Sequence, residues 1–210
     1  MATELPSARP RAERRDKARN RGRVLAAAAE LFAANGVERV TIDELAARAG
    51  VGVGTIYRGF GDKGGLVAAI LDQRERDLQE ALLRGAPPLG PGAPADERIR
   101  AFLTKLAELT DRSYELLAVS ENNTLGARYR IGSYLVWRTH LASLLAETGV
   151  ALDPELAADA LLAPLAADLY RHQRIERRIS PRRIRETVLG LADALLSRQT
   201  EPGGEATTAR

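Results

Sequence analysis

Between residues 24 and 63 the sequence alternates three helical segments with two tight breaks, and this arrangement constrains the fold more than any other feature. Apolar residues recur at helical spacing from Val24 to Phe32, and Asn35-Gly36 is typical of a left-handed helix end. Thr41, with Glu44 three positions later, predicts a capped second helix that Gly50 ends. A third, shorter helix follows over residues 53–58. This order predicts a helix-turn-helix.

The third segment is the one that can enter a groove of DNA, because the major groove is wide enough to admit one α-helix. Ile56 and Phe60 are expected to pack inward on the other two helices. The outward face would then offer Gly52, Val53, Gly54, Tyr57 and Arg58.

The composition predicts helices in the rest of the chain as well. Aromatic residues, which favour sheet, are only 4% of the sequence, whereas Ala, Leu, Arg and Glu favour helix. The fold class is therefore all-α, with a three-helix helix-turn-helix domain followed by a larger helical domain. The boundaries predicted are a flexible basic arm (1–18), the helix-turn-helix DNA-binding domain (19–65), a second helical domain (66–200), to which the family resemblance given below assigns effector binding and dimerisation, and a disordered tail (201–210). Within the larger domain, Pro164 is expected to bend a helix that runs from Asp153 to about Arg171.

Positive charge is concentrated near the N-terminus. Residues 9–23 include eight basic and two acidic side chains, whereas the whole chain has a net charge of +3, so the remainder is net negative. Such asymmetry indicates that this end meets a polyanion, either nucleic acid or an anionic membrane surface.

The sequence of the predicted helix-turn-helix and the start of the following helix resembles that of the TetR family of bacterial repressors. The resemblance runs from about Arg21 to Leu71, and its most specific parts are the run from Thr41 to Ala46, Ala49-Gly50-Val51, and Thr55-Ile-Tyr-Arg-Gly-Phe60 followed by Lys63 and Leu66. It implies an all-helical repressor whose C-terminal domain binds a small effector and dimerises.

The resemblance also implies roles for single residues. Thr41, Thr55, Tyr57 and Lys63 match positions that hold the phosphate backbone, and Val53 and Arg58 match positions that face bases. Arg21, Gly52 and Gly54 complete the predicted DNA-binding set. The sequence departs from the family pattern at Gly52, Gly59 and Gly64-Gly65, and these glycines predict a recognition helix that is loose without DNA.

The second domain carries most of the aromatic residues, which predict either an effector pocket or ordinary core packing. The candidate pocket residues are Phe102, Tyr114, Tyr134, Trp137, His140 and Tyr170, with Arg138 and Asn122 as further polar contacts. Leucine-rich stripes on the last two helices predict a four-helix dimer interface, although an internal core would give the same pattern. Its candidates are Leu161, Leu165, Ile184, Val188, Leu191 and Leu195.

Other classes of protein find no support in the sequence. Cysteine is absent, and the two histidines lack metal-ligand spacing, so neither a metal nor another cofactor is expected. No nucleophile elbow or phosphate loop indicates an enzyme. The chain is expected to be a cytoplasmic, homodimeric regulator that binds a pseudo-palindromic duplex and an unidentified small effector. The alternative is an all-helical membrane-surface or protein-interaction module that uses the basic arm.

Overall fold

The computed structural model describes residues 9–121 and 132–197, and the regular elements in these ranges are helices, as predicted. They are α1 (Arg9–Asn35), α2 (Ile42–Ala49), α3 (Val53–Phe60), α4 (Lys63–Arg84), α5 (Ala95–Asp111), α6 (Tyr114–Glu121), α7 (Gly132–Glu147), α8 (Pro154–Leu162), α9 (Ala167–Arg171) and α10 (Pro181–Leu196). No helix in these ranges is both long enough and apolar enough to cross a membrane.

The chain divides into two compact units, Met1–Gln73 and Arg74–Arg210, and the division falls within α4. The boundary predicted after residue 65 is therefore too early. In the first unit α2 packs against α1 and α3. Its core is made of side chains that are at most 2% exposed, including Val24, Phe32, Val40, Leu45, Ile56 and Leu66.

Helix α1 begins at Arg9 and not near Asn20, so the prediction of an irregular arm over residues 1–18 is wrong for residues 9–18. The physical reason is that arginine and alanine favour helix, and proline is tolerated in a first turn, where its missing N–H has no helical partner. Residues 1–8 and the predicted tail, 201–210, lie outside the described residues.

In the second unit, α7 packs against α8 and α5, α10 packs against α5, and α6 packs against α9. One core joins these helices through Phe102, Leu103, Leu141, Leu145 and Val188, which are fully buried. Asp153 starts α8 by accepting hydrogen bonds from two backbone N–H groups, with Pro154 at the first helical position. Ser180 starts α10 by accepting a hydrogen bond from the Arg183 backbone N–H, with Pro181 at the first helical position, as the sequence predicts.

Pro164 does more than bend the helix expected from Asp153 to about Arg171. Helix α8 ends at Leu162, a 3₁₀ turn spans Ala163–Leu165, and the chain is extended at Ala166 before α9 begins. Proline has no N–H to continue the helical ladder, and its ring clashes with the preceding turn. A π-helical turn, His172–Glu176, then follows α9.

Four of the six predicted dimer-interface residues are unavailable to a partner. Leu161, Leu165, Ile184 and Val188 are between 0% and 4% exposed and belong to the core of their own chain. The prediction was wrong for these four, because a heptad-like stripe marks a buried face without saying what covers it. Leu191 is 46% exposed, and Leu195 is partly buried at the edge of the core.

Candidate nucleic-acid interface

Helix α3 is held by one buried side chain and turns its other side outward. Ile56 is 0% exposed, whereas Tyr57 is 53% exposed and Arg58 is also exposed. Phe60, Val53 and Thr55 are half-buried at the edges of the helix. The outward position predicted for Tyr57 and Arg58 is thus confirmed, and their phenol and guanidinium groups are open to a ligand.

The turn between α2 and α3 is fixed by backbone and side-chain contacts. Gly50 takes the left-handed conformation (φ 61°, ψ 45°), as its place after α2 predicts. The Arg23 guanidinium donates a hydrogen bond of 3.0 Å to the Gly50 carbonyl oxygen. Arg48 on α2 pairs with Glu30 on α1 at 2.6 Å. These contacts attach the turn to α1 and so set the direction of the recognition helix.

Three glycines leave the outer surface of α3 without side chains. A Cβ placed on Gly52, Gly54 or Gly59 would have no heavy atom within 4 Å, so packing within the chain does not require glycine at these positions. A partner's backbone or base edge can approach the helix closely there. The side chains left to make polar contacts along this face are Tyr57 and Arg58.

Thr41 caps α2, and this role uses its hydroxyl group. The Thr41 hydroxyl accepts a hydrogen bond from the Glu44 backbone N–H (3.2 Å) and donates one to the Glu44 carboxylate (2.9 Å). The Glu44 carboxylate also accepts a hydrogen bond from the Thr41 backbone N–H, and this bond lowers the pKa of Glu44 below its usual value. A phosphate contact of the Thr41 hydroxyl, as predicted from the sequence, would therefore compete with its hydrogen bonds in the capping box.

Lys63 also has a structural role that the sequence did not indicate. Its ammonium group donates hydrogen bonds to the carbonyl oxygens of Val37 (3.1 Å) and Glu38 (3.0 Å) in the turn between α1 and α2. An ammonium group has three N–H donors, so one remains for a phosphate. Lys63 can thus join the start of α4 to this turn and still present positive charge.

A groove between α1 and α3 is a feature that the sequence analysis did not identify. Its volume is about 630 Å³, and its lining includes Lys17, Arg21, Glu13 and Asp16 from α1 and Thr55 and Arg58 from α3. The Arg21 guanidinium lies over the Phe60 ring, 4.8 Å from its centroid. In the sequence, the signal for this groove was the concentration of basic residues over positions 9–23. That signal could not be interpreted without knowing that α1 begins before Asn20. Charged side chains of α1, two of them basic and two acidic, therefore line the same groove as the recognition helix.

Gly65 is needed for a close backbone approach, which explains one departure from the family pattern. A Cβ on Gly65 would lie 1.9 Å from the Phe60 carbonyl oxygen, while the same atom on Gly64 would meet only the flexible Asp62 side chain, at 3.2 Å. Asp62 accepts a hydrogen bond from the Gly65 backbone N–H (2.8 Å) and so caps α4. The junction between α3 and α4 therefore depends on Gly65 and not on Gly64.

We predict different effects on stability from alanine at these two adjacent glycines. Gly65→Ala should lower the free energy of unfolding by about 1–3 kcal/mol, because the methyl group would displace backbone. Gly64→Ala should leave it unchanged or raise it by up to about 1 kcal/mol through helix propensity. Urea unfolding followed by circular dichroism measures both values. Equal losses in the two variants would contradict the close approach.

The aromatic residues of the second unit contact one another. Phe102 lies 5.9 Å from Trp137 and 5.2 Å from His140, and Tyr114 lies 5.6 Å from Tyr170, between ring centroids. Burial lowers the pKa of His140 and raises that of Tyr170. Whether these residues also line an effector pocket stays a prediction.

The polar residues considered for that pocket have different surroundings. Arg138 forms ion pairs with Glu155 (2.6 Å) and Asp159 (3.0 Å), and the Tyr134 hydroxyl donates to Asp159 at 2.5 Å. These contacts join α7 to α8. Asn122 lies outside the described residues.

Helix α3 packs on α2 through the buried Ile56, exposes Tyr57 and Arg58, and lies beside a groove with Arg21 and Lys17 in its lining. These features define a helix-turn-helix protein of the DNA-binding class. Residues 24–70 match the sequence model described as "Bacterial regulatory proteins, tetR family". Over 65 residues the chain is 38% identical to an HTH-type transcriptional regulator of Staphylococcus aureus (strain USA300), a match that covers 31% of this chain and 35% of that relative. The chain thus spans about a third of the length of the curated relatives it matches.

Solved structures extend the similarity to the larger part of the fold. A TetR/AcrR-family transcriptional regulator from Thermobifida fusca is 26% identical, with a TM-score of 0.63 over 82% of this chain and 95% of that one. SmeT, solved as a complex with triclosan, is 21% identical, with a TM-score of 0.61 over 83% of this chain and 90% of that one. The similarity to the TetR family of bacterial regulators thus covers residues 24–70 in sequence and most of the chain in fold.

Proposed function

We propose that this protein is a homodimeric transcriptional repressor that leaves its operator when a small molecule binds the second unit. The observation that carries the proposal is the geometry of α3, where Ile56 is buried while Tyr57 and Arg58 point outward. Repression, dimerisation and effector release are inferred from the family resemblance and from the arguments below. No enzymatic activity is proposed, and the protein would act in the cytoplasm, on bacterial DNA.

In this proposal the interface separates phosphate contacts from base contacts. The Tyr57 and Thr55 hydroxyls, the remaining Lys63 donor and Arg21 would bind phosphate oxygens, which position the protein on any sequence. Arg58 would read bases, since a guanidinium can form two hydrogen bonds with guanine O6 and N7. Val53 would contact a thymine methyl group.

The dimer is proposed to form through exposed stripes on α8 and α10. The first stripe is Leu156 and Ala160 on α8 with Ala163 in the 3₁₀ turn that follows, and the second is Thr187, Leu191 and Ala194 on α10. Both stripes have the spacing of one helix face, and Leu156 is 67% exposed. Small residues beside a leucine let two helices approach closely. A second copy is the occupant that the function requires, because one recognition helix reads too few bases.

Effector release would follow from linkage between two sites. An effector that binds more tightly to a form with badly spaced recognition helices lowers DNA affinity by the ratio of its two affinities, and DNA lowers effector affinity equally. The triclosan complex of SmeT supports a small-molecule effector for this chain as well.

The proposal is tested by selecting bound duplexes from a randomised DNA library and measuring their affinity at several salt concentrations. We expect enrichment of a two-fold symmetric sequence with half-sites about 10–10.5 base pairs apart or a multiple of that spacing. Its affinity should exceed that of a scrambled duplex by about 10³-fold or more and fall steeply with salt. Binding to anionic phosphatidylglycerol vesicles without enrichment of any duplex would favour the membrane-surface alternative.

A further inference from the structure

A second concentration of positive charge lies in the C-terminal unit, around the π-helical turn and the start of α10. Residues 171–185 contain seven arginines and one glutamate. That glutamate, Glu176, contacts the ring of His172 at 2.8 Å. Two of the arginines are paired, Arg174 with Asp111 (3.2 Å) and Arg182 with Glu186 (2.6 Å). The segment therefore has a large excess of positive charge.

A cavity of about 360 Å³ opens within this segment. Pro164, Ile179 and Ile184 supply apolar surface, while Gln173, Arg177, Arg183 and Thr187 supply polar groups. Among the residues that the structure describes, neither Arg177 nor Arg183 has a carboxylate within ion-pair distance. Two cations that line one cavity repel each other, and an anion between them would remove this cost.

Gln173 gives a second, independent indication of a ligand. Its side-chain Oε1 is buried and has no hydrogen-bond partner among the described residues. Buried side-chain oxygens almost always accept a hydrogen bond, so an unpaired one beside a cavity indicates a missing donor. The donor would come from a hydroxyl or N–H group of a bound molecule.

The backbone around the cavity is irregular and firmly held. The π-helical turn carries Gln173, and π turns are frequent at functional sites. Arg178 has a φ of 54°, a conformation that costs energy for a residue other than glycine. Arg174 fixes the turn by donating to the Ile179 carbonyl oxygen (3.0 Å) and to Asp111. The cavity is thus preformed, with Arg177 and Arg183 left for a ligand.

We propose that this cavity binds a small organic carboxylate that also carries a hydrogen-bond donor. The carboxylate would lie between Arg177 and Arg183, because planar guanidinium groups bind carboxylates through two parallel hydrogen bonds. The donor would reach Gln173 Oε1, and the body of the ligand would lie against Ile179 and Ile184. A volume of about 360 Å³ suits a molecule of the size of one ring with two substituents. This cavity shares no residue with the predicted effector pocket.

The test is isothermal titration calorimetry of the full chain without DNA, using three probes of similar shape. We expect 4-hydroxybenzoate to bind, benzoate to bind more weakly because it lacks the donor, and 4-hydroxybenzamide not to bind because it lacks the charge. The comparison among probes uses the unmodified protein, so it does not depend on how any variant folds. Equal affinity for 4-hydroxybenzamide, or no binding of 4-hydroxybenzoate, would overturn the proposal.

Variants place the binding in this cavity. Arg177→Gln with Arg183→Gln should weaken 4-hydroxybenzoate binding by roughly tenfold or more, the effect of losing hydrogen bonds to a charged group. Arg171→Gln with Arg182→Gln removes the same charge from exposed arginines outside the cavity lining and should leave the affinity unchanged. Equal weakening in the two double variants would mean a general charge effect and would also refute the site.

Discussion

Replacing Leu156 by lysine should convert the proposed dimer into monomers and abolish specific operator binding. Leu156 is 67% exposed in the single chain, so the substitution leaves the core intact and places an unpaired charge where two copies would meet. The affinity for the selected duplex should fall to that for a scrambled duplex, a loss of about 10³-fold or more. Analytical ultracentrifugation and fluorescence anisotropy measure the two effects.

The matched control for this experiment is Leu83→Lys. Leu83 on α4 is 69% exposed and lies outside both stripes. Its replacement by lysine adds the same charge to the chain as Leu156→Lys. This variant should remain dimeric and keep its operator affinity. A dimer that survives Leu156→Lys would show that a different surface joins the two copies, without bearing on the helix-turn-helix itself.

The second large effect is expected from Arg58→Ala, which should remove base reading while leaving the fold unchanged. Each bidentate contact with guanine contributes about 1–3 kcal/mol to discrimination. With one copy in each half-site, the dimer should lose roughly 2–6 kcal/mol, or about 30-fold to 10⁴-fold in affinity for the selected duplex. Affinity for a scrambled duplex should fall far less.

Arg84→Ala is the control for the loss of one positive charge. Arg84 is exposed, forms an ion pair with Glu80 one turn earlier on α4 and lies outside the helix-turn-helix. It should change neither affinity appreciably. If Arg58→Ala weakened the selected and scrambled duplexes equally and reduced the salt dependence, Arg58 would be a phosphate contact and not a base contact.

Much of the first unit could be predicted because its signals are local. The capping box of Thr41 and Glu44, the left-handed Gly50 and the alternation of buried Ile56 with exposed Tyr57 each depend on residues within one or two helical turns. Such short-range chemistry can be read from adjacent positions. The roles of Lys63 and Gly65 could not, since Lys63 binds carbonyls about 25 residues earlier in the chain and Gly65 meets a backbone atom of the preceding helix.

The second unit shows the limit of periodicity as a signal. Ile184, Val188 and Leu191 have the spacing of one helix face, yet the first two are buried in their own core and the third is exposed. The pattern specifies that a face is apolar but not which helix covers it. The lack of a hydrogen-bond partner for Gln173 Oε1 also depends on how segments far apart in the chain pack together.

The sequence by itself determined that this chain is all-helical, where its recognition helix begins and which side of that helix is buried, because caps, turns and helical spacing act between neighbours. Only the tertiary structure decided which apolar stripes remain uncovered, which cations are already paired and which polar atoms lack a partner. Those properties are set by contacts between residues far apart in the chain, and burial and pairing have no local signature.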